Sequence, residues 1–198
     1  MELYIARHGE TEANAIRRFQ GSGLDTPLTP KGINQAKALG KLIENISFDA
    51  VYSSPRERAM NTARIAFNNE ALFDQNKVFT DDRLTEIGIG EAEGAIYDEK
   101  VSDPFSIAFK NLLTNPTAYV PPTGGEALPD MIARLDSFLQ ALATKPYKRV
   151  FALAHGYVLR VVYACSQDKS VAAIGNAPIF DNCALARYVY NGAKWESV

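Results

Sequence analysis

The sequence predicts an α/β fold: a three-layer sandwich with a mostly parallel central sheet, helices on both faces and a C-terminal antiparallel hairpin. Three observations lead there. Short apolar runs alternate with helical patterns along most of the chain, the rhythm of a parallel sheet with crossover helices. Asn191-Gly192 lies between two strand-like runs, which is a strong hairpin signal. The chain has 2 histidines, and each follows an apolar run and precedes a glycine and a helix-like segment.

Residues 2–6 read as the first strand and 11–18 as a first helical stretch. Residues 19–29 form a Gly/Ser/Asp/Pro loop. Thr29 as N-cap and Pro30 just inside start a helix to about residue 44, with Ile33, Ala36, Leu39 or Gly40, and Ile43 on its inner face. Residues 49–52 form a second strand. Ser53-Ser54-Pro55 then opens a helix to about residue 67, again with proline just inside. A third strand is expected at 77–80, and residues 81–94 read as loop with a turn of helix. Residues 98–115 are weakly helical and 116–125 a Pro/Gly-rich loop. From 126 to 142 runs the best helix, with Leu128, Met131, Ile132, Leu135, Phe138, Leu139 and Leu142 on one stripe. A strand at 150–154 leads into an apolar helix over 157–165, and strands at 183–190 and 193–198 bracket the hairpin turn.

The 198 residues suit a single domain spanning 1–198. The stretch from about 87 to 125 breaks the β-α rhythm and is expected to be an insertion over the active site, where substrate contacts commonly lie. The formal net charge of -2 argues against a nucleic-acid partner, so any anion site must be local. Cys165 and Cys183 do not make a disulfide framework and read as buried thiols. No targeting segment opens the chain, and no apolar run approaches the ~20 residues that span a bilayer. A cytoplasmic protein with no membrane partner is expected.

Ligands bind outside the carboxyl ends of strands in such sheets. If the strands before His8 and His155 are parallel neighbours, both imidazoles reach one crevice, with Arg7 beside them. Two imidazoles and a guanidinium there form a site for a phosphoryl group. Gly9 lets the backbone turn sharply, and the next helix offers free N–H groups to an anion. Neutral histidine is a nucleophile, and an unperturbed pKa of ~6.5 makes that form available near neutrality. Ser53-Ser54-Pro55-Arg56-Glu57-Arg58 also follows a strand end, and Arg58 can aim a planar fork at phosphate oxygens. Glu86, in Leu84-Thr85-Glu86-Ile87, is a carboxylate in an apolar setting, suited to general acid work. Asp81, Asp82, Glu91 and Glu93 compete with it.

Taken together, these motifs resemble the histidine phosphatase superfamily, the phosphoglycerate-mutase-like group. The resemblance spans nearly the whole chain. It rests on Arg7-His8-Gly9-Glu10-Thr11-Glu12-Ala13-Asn14, on Phe19-Gln20-Gly21 through Asp25-Thr26-Pro27-Leu28-Thr29-Pro30-Lys31-Gly32 with Gln35-Ala36, and on Ser53-Ser54-Pro55 with Arg58 and Thr62-Ala63. Leu84-Thr85-Glu86 with Gly90 and Glu93-Gly94, then Gly124-Gly125-Glu126 and Ala154-His155-Gly156, complete it.

The resemblance implies a phosphomonoester hydrolase that needs no metal and no cofactor. His8 is the nucleophile that becomes phosphohistidine. Arg7, Arg58 and His155 hold the phosphoryl oxygens. Glu86 protonates the leaving oxygen and then activates water. Asn14, Gln20, Gly21, Gly156 and Tyr157 are the phosphate- or substrate-binding set, and Glu10 supports the turn. The partner is a small phosphorylated substrate. Two departures bear on substrate choice: Tyr157 follows the second His-Gly where relatives carry a small or polar residue, and Ala92 stands where they often carry an aromatic one.

Other readings weigh less. A loose Gly88-Ile89-Gly90 to Gly94 dinucleotide pattern lacks a preceding strand. A cysteine phosphatase would need arginine where Val171 and Val189 stand. A phosphomutase is the runner-up; the 69-residue interval from Glu86 to His155 is short for that branch. A binding protein without turnover comes third. Phe105, Phe109 and Tyr119 are candidate pocket walls, with Lys100 and Lys110 as candidate anion contacts. The hairpin leaves an edge through which a dimer can pair, and the sequence does not decide the oligomeric state.

Overall fold

A computed structural model of the chain describes residues 1–68, 78–98, 100 and 103–198. Among these, six strands form one sheet in the order β3-β2-β4-β1-β5-β6. They are β1 (Glu2–Arg7), β2 (Ala50–Ser53), β3 (Val78–Thr80), β4 (Arg149–Ala154), β5 (Leu185–Tyr190) and β6 (Trp195–Ser197). β1, β2 and β3 each run parallel to a neighbour in the β3-β2-β4-β1 group, whereas β5 and β6 are antiparallel. The mostly parallel sheet and the closing hairpin are as expected. Lys77, expected in the third strand, lies outside the described residues, as do positions 99, 101 and 102 of the weak helix.

The helices are α1 (Glu12–Ala15), α2 (Pro30–Ile43), α3 (Glu57–Phe67), α4 (Pro104–Thr114), α5 (Leu128–Ala143), α6 (Gly156–Ser166) and α7 (Val171–Gly175). β4 is central, and Val150 through Ala154 is fully buried, which is why that strand reads as a continuous apolar run. On one face α2 and α3 pack Leu39, Ile43, Ala59 and Ala63 against Ala6, Val51, Phe151 and Leu153. On the other, α5 and α6 cover Leu3, Ile5, Val150 and Ala152. The whole apolar stripe of α5 is buried. Each such large side chain contributes about 1.5–3 kcal/mol by leaving water. Among the described residues no helix is long and apolar enough to cross a membrane.

Several boundaries differ from the sequence expectation; the weak helix expected over 98–115 begins at Pro104, where the Asp103 carboxylate caps it. α1 stops at Ala15, because Arg17 takes a left-handed φ of 56° and residue 18 pairs with Ile96. α3 begins at Glu57, leaving Pro55 outside. Its first N–H groups are capped from a distant loop: Asp25 Oδ2 accepts from Glu57 N at 2.6 Å and Oδ1 from Arg58 N at 3.4 Å. α5 begins at Leu128, since the Glu126 carboxylate is held by Arg134 and by the Gly88 N–H. α7, capped by Ser170 onto Ala173 N, had no counterpart in the sequence reading.

Candidate active site

The register of β1 on β4 builds the site. Arg7 stands opposite Ala154, so the next residues, His8 and His155, leave the sheet's carboxyl edge side by side. Their ring centroids are 5.2 Å apart at 64°. Both rings are buried.

The tautomer of His8 is set by its own turn. Nδ1 lies 2.7 Å from the Gly9 carbonyl oxygen, which only accepts, so Nδ1–H donates and the lone pair sits on Nε2. Burial, reinforced by the charges of Arg58 and Arg7, holds the imidazole well below its ordinary pKa against the pull of the Gly9 bond. The result is a neutral imidazole with Nε2 as its basic atom. Gly9 is needed for close approach: a Cβ there would stand 2.6 Å from the Gly32 carbonyl oxygen at the start of α2. The Gly9 N–H donates to Thr62 Oγ1 at 3.0 Å, and that hydroxyl donates to Arg58 O at 2.7 Å, tying the turn to α3.

His155 is engaged at both nitrogens. Arg58 Nε donates to Nδ1 at 3.2 Å, so Nε2 carries the proton and donates to Ser54 Oγ at 2.7 Å. Burial and then the Arg58 charge keep this ring neutral too. Arg58 further donates through Nη1 to Leu24 O and Asp25 Oδ1, and through Nη2 to Gly21 O. A single Nη2 hydrogen is left uncommitted. Arg7 donates from Nη1 to Phe180 O at 2.7 Å, and its buried Nε has no protein partner. Gly156 lets α6 start against this guanidinium, since a Cβ there would already lie 3.3 Å from Arg7 Nε.

Glu86 faces the same region. Its Oε1 accepts from Ile87 N at 3.0 Å and Oε2 from Tyr157 N at 3.2 Å, in the first turn of α6. Burial raises its pKa, opposed by those bonds and by Arg58 and Arg7. Three of the four competing carboxylates are engaged elsewhere, and Asp82 is exposed. Asp81 pairs with Arg83, Glu91 accepts from Thr123, and Glu93 accepts from the N–H groups of Gly21, Gly23 and Leu24.

These groups adjoin a pocket of about 750 Å³ whose wall includes Arg7, Asn14, Gln20, Gly21, Glu86, Gly156 and Tyr157. His8, Arg58 and His155 are not on that wall; they are buried beside Arg7, Gly21 and Gly156, which are. Asn14 braces α1 through a capping box with Thr11. Gln20 is held by the hydroxyls of Thr11 and Thr26. The Tyr157 hydroxyl is committed to the protein: it donates to Leu112 O at 3.0 Å and fastens α4. Glu10 pairs with Lys31 at 2.7 Å. Phe109 and Lys110 line the pocket, whereas Phe105 and Tyr119 pack on the core and Lys100 is not on the wall.

Several supporting residues were missed by the sequence reading. Asp25 and Ser54 fall inside quoted motifs but had no role assigned. Asn182, whose Nδ2 donates to His8 O at 3.1 Å and Asn14 Oδ1 at 3.2 Å, arrives from far along the chain with no local signal.

A family model described as the histidine phosphatase superfamily (branch 1) matches residues 3–198. The chain is 34% identical over 192 residues to a putative phosphoserine phosphatase 2 of Hydrogenobacter thermophilus, covering 97% of this chain and 91% of that one. It is 36% identical over 140 residues to the fructose-2,6-bisphosphatase TIGAR of Xenopus tropicalis, covering 71% of this chain. That alignment takes in 49% of the relative, so the chain spans about half the length of the bisphosphatases it matches. Mutase-like names also occur among the relatives. Among solved structures, Bacillus stearothermophilus YhfR superposes with a TM-score of 0.87 at 31% identity, covering 100% of this chain and 95% of that one.

Proposed function

Since the chain belongs to the histidine phosphatase superfamily, branch 1, we propose that it hydrolyses phosphomonoesters through a phosphohistidine on His8, with protein cations in place of a metal. The observation that carries this reading is the His8 turn: Nδ1–H is fixed on Gly9 O, and Nε2 is left basic beside Arg7 and Arg58. Nε2 attacks phosphorus in line with the ester oxygen, and the P–O bond breaks as the P–N bond forms. Arg7 Nε, the remaining Arg58 N–H and the N-terminus of α6 receive the phosphoryl oxygens, which are the donors such a step requires. His155, held by Arg58 and Ser54, positions the Arg58 fork. Glu86, whose pKa burial raises, gives its proton to the leaving oxygen. Its carboxylate then takes a proton from the water that attacks phosphohistidine, which frees inorganic phosphate and restores His8.

Asn14, Gln20, Gly21 and Tyr157 shape the pocket for a small phosphorylated substrate, with residues 87–125 as an insertion over it within a single 1–198 domain. Cys165 and Cys183 stand free, which fits a reducing, cytoplasmic setting. The test is phosphate release from p-nitrophenyl phosphate and a panel of phosphate esters by chelator-treated protein, beside a His8→Ala control. Release that survives chelation and vanishes in the variant supports the reading. Isomerisation of 3-phosphoglycerate without phosphate release would instead make the protein a mutase, and loss of activity on chelation would refute the metal-free mechanism.

A further inference from the structure

Arg134, in the second turn of α5, holds both ends of the segment that carries Glu86. Its fork meets the Glu126 carboxylate at two points, Nε to Oε1 at 2.6 Å and Nη2 to Oε2 at 2.9 Å. Its third nitrogen, Nη1, donates to the Arg83 carbonyl oxygen at 2.6 Å. Glu126 in turn grips Gly88 on both sides of the chain. Oε2 accepts from Gly88 N at 3.2 Å, and Glu126 N donates to Gly88 O at 2.7 Å. One ion pair therefore fixes the backbone just before Glu86, at residue 83, and just after it, at residue 88.

The span between these anchors is short. Leu84 and Ile87 are buried in it, and Ile87 O accepts from Ser22 N at 3.1 Å. The Glu86 carboxyl crosses from this span to α6, where Oε2 accepts from Tyr157 N at 3.2 Å. That length is at the long end for such a bond, so a small shift of the span loosens it. Neither Arg134 nor Glu126 is on the pocket wall. Both side chains are 20% exposed, and the Coulombic gain of such a pair is largely offset by lost hydration. Its distinctive feature is geometric: a planar fork delivers directed donors to two separate segments, which lysine cannot do.

We propose that Arg134 and Glu126 are positioning residues whose pair sets where the Glu86 carboxyl meets the leaving oxygen. The proposal rests on the reading of Glu86 as proton donor given above. A positioned acid supplies ~10²–10⁴ in rate, and a misplacement of about 1 Å costs roughly 10²-fold.

Two esters and a double-variant cycle test it. The quantity to measure is kcat/KM, which covers binding and P–O cleavage. Glycerol 3-phosphate needs the proton, whereas nitrophenolate leaves without one. Arg134→Gln should lower kcat/KM for glycerol 3-phosphate by roughly 10²-fold and that for p-nitrophenyl phosphate far less. The Arg134 charge also bears on His155. Glu126→Gln leaves that charge in place and should show the same leaving-group signature. Arg134→Lys should recover part of the loss, and it carries the comparison with Glu126→Gln if Arg134→Gln does not fold. Added to Glu86→Gln, none of these changes should slow glycerol 3-phosphate further, because a misplaced acid matters only while the acid is there. An equal loss on both esters, an undiminished loss in the Glu86→Gln background, or wild-type values would overturn the positioning role and leave Glu86 as the acid. Glu86→Gln alone decides the other reading: equal effects of that variant on the two esters would overturn the acid role, and the positioning role with it.

Discussion

Arg58 and His155 are joined by a hydrogen bond from Nε to Nδ1 at 3.2 Å, between residues 97 positions apart in the chain. The bond fixes both partners. It makes Nδ1 of His155 an acceptor and so places the ring proton on Nε2, toward Ser54. It also turns the Arg58 fork so that its other nitrogens reach Gly21, Leu24 and Asp25.

Arg58→Lys should therefore cost far more than a change that keeps the charge suggests. Lysine cannot hold His155, the loop carbonyls and a phosphoryl oxygen at once. The expected loss is ~10²–10³ in kcat, the size associated with removing one preorganised donor to developing charge. Wild-type kcat in the lysine variant would show that the position needs only a positive charge.

A phosphohistidine on His8 should be trappable. Quenching turnover of a fast substrate in alkali, where a phosphoramidate survives, should leave one phosphoryl group on the peptide containing His8. Acid should remove it. His8→Ala should show no such label and a rate lower by ~10³-fold or more. Label on a serine, or none during rapid turnover, would contradict the covalent route.

Glu86 should reveal itself through the leaving group. Burial raises its pKa above the ordinary carboxylate range, so it remains a proton donor at higher pH than an ordinary carboxyl. Activity on alkyl phosphates should fall as pH rises through that raised value, because those leaving groups need the proton. The limb should be weaker for p-nitrophenyl phosphate. Glu86→Gln should slow alkyl esters by ~10²–10⁴. With p-nitrophenyl phosphate it should give a burst followed by slow turnover, as unhydrolysed phosphohistidine accumulates. Equal effects on both leaving groups would argue against an acid role.

The two histidines should also set how stability responds to acid. Both have folded pKa values well below the ordinary 6.5. Below about pH 6.5 the unfolded chain takes up protons that the folded chain refuses, so stability falls as pH falls, by up to about 1.4 kcal/mol per pH unit for each ring. Glu86 acts the other way. Its raised folded pKa makes the folded state gain stability as pH falls toward 4.5, offsetting at most one of the two rings. Urea unfolding at pH 7.5 and pH 5.5 reads the difference. Because the chain has 2 histidines, an unchanged midpoint would mean that one or both rings protonate in the folded state.

Much of this site was legible in the sequence because its reactive residues sit at strand ends, where a local apolar run, a glycine and a helix start announce themselves. His8 and His155 carried that signal, and Arg58 followed a strand end; Glu86 lies in a loop beyond β3 and stood out from its neighbouring carboxylates only through the family resemblance. The parallel pairing that brings His8 to His155 entered the sequence reading as a condition, and the register of β1 on β4 meets it. What escaped is long-range. Asn182 meets His8 across 174 positions, and Asp25 caps a helix whose sequence contains no cap of its own. Nothing within a few residues of Asn182 or Asp25 encodes those meetings. Tyr157 was placed in the substrate-binding set, yet its hydroxyl donates to Leu112 O, 45 positions away, a partner that local sequence does not reveal.

Glu93 gives a sharper case of a residue acting at a distance. Its carboxylate accepts from Gly21 N at 3.1 Å, Gly23 N at 2.8 Å and Leu24 N at 3.1 Å. The same loop turns its Gly21 and Leu24 carbonyls onto Arg58, each at 2.8 Å. Glu93→Gln keeps the shape but puts an NH₂ where an acceptor oxygen faced these N–H groups. Losing charge-assisted bonds of this kind costs about 1–3 kcal/mol of stability. The loop should then relax and Arg58 lose its alignment, so kcat falls while KM for a small phosphate ester moves little. Glu93→Asp, which keeps the charge on a shorter arm, should recover part of both. A stability loss with wild-type kcat would show that Glu93 holds the loop without setting Arg58.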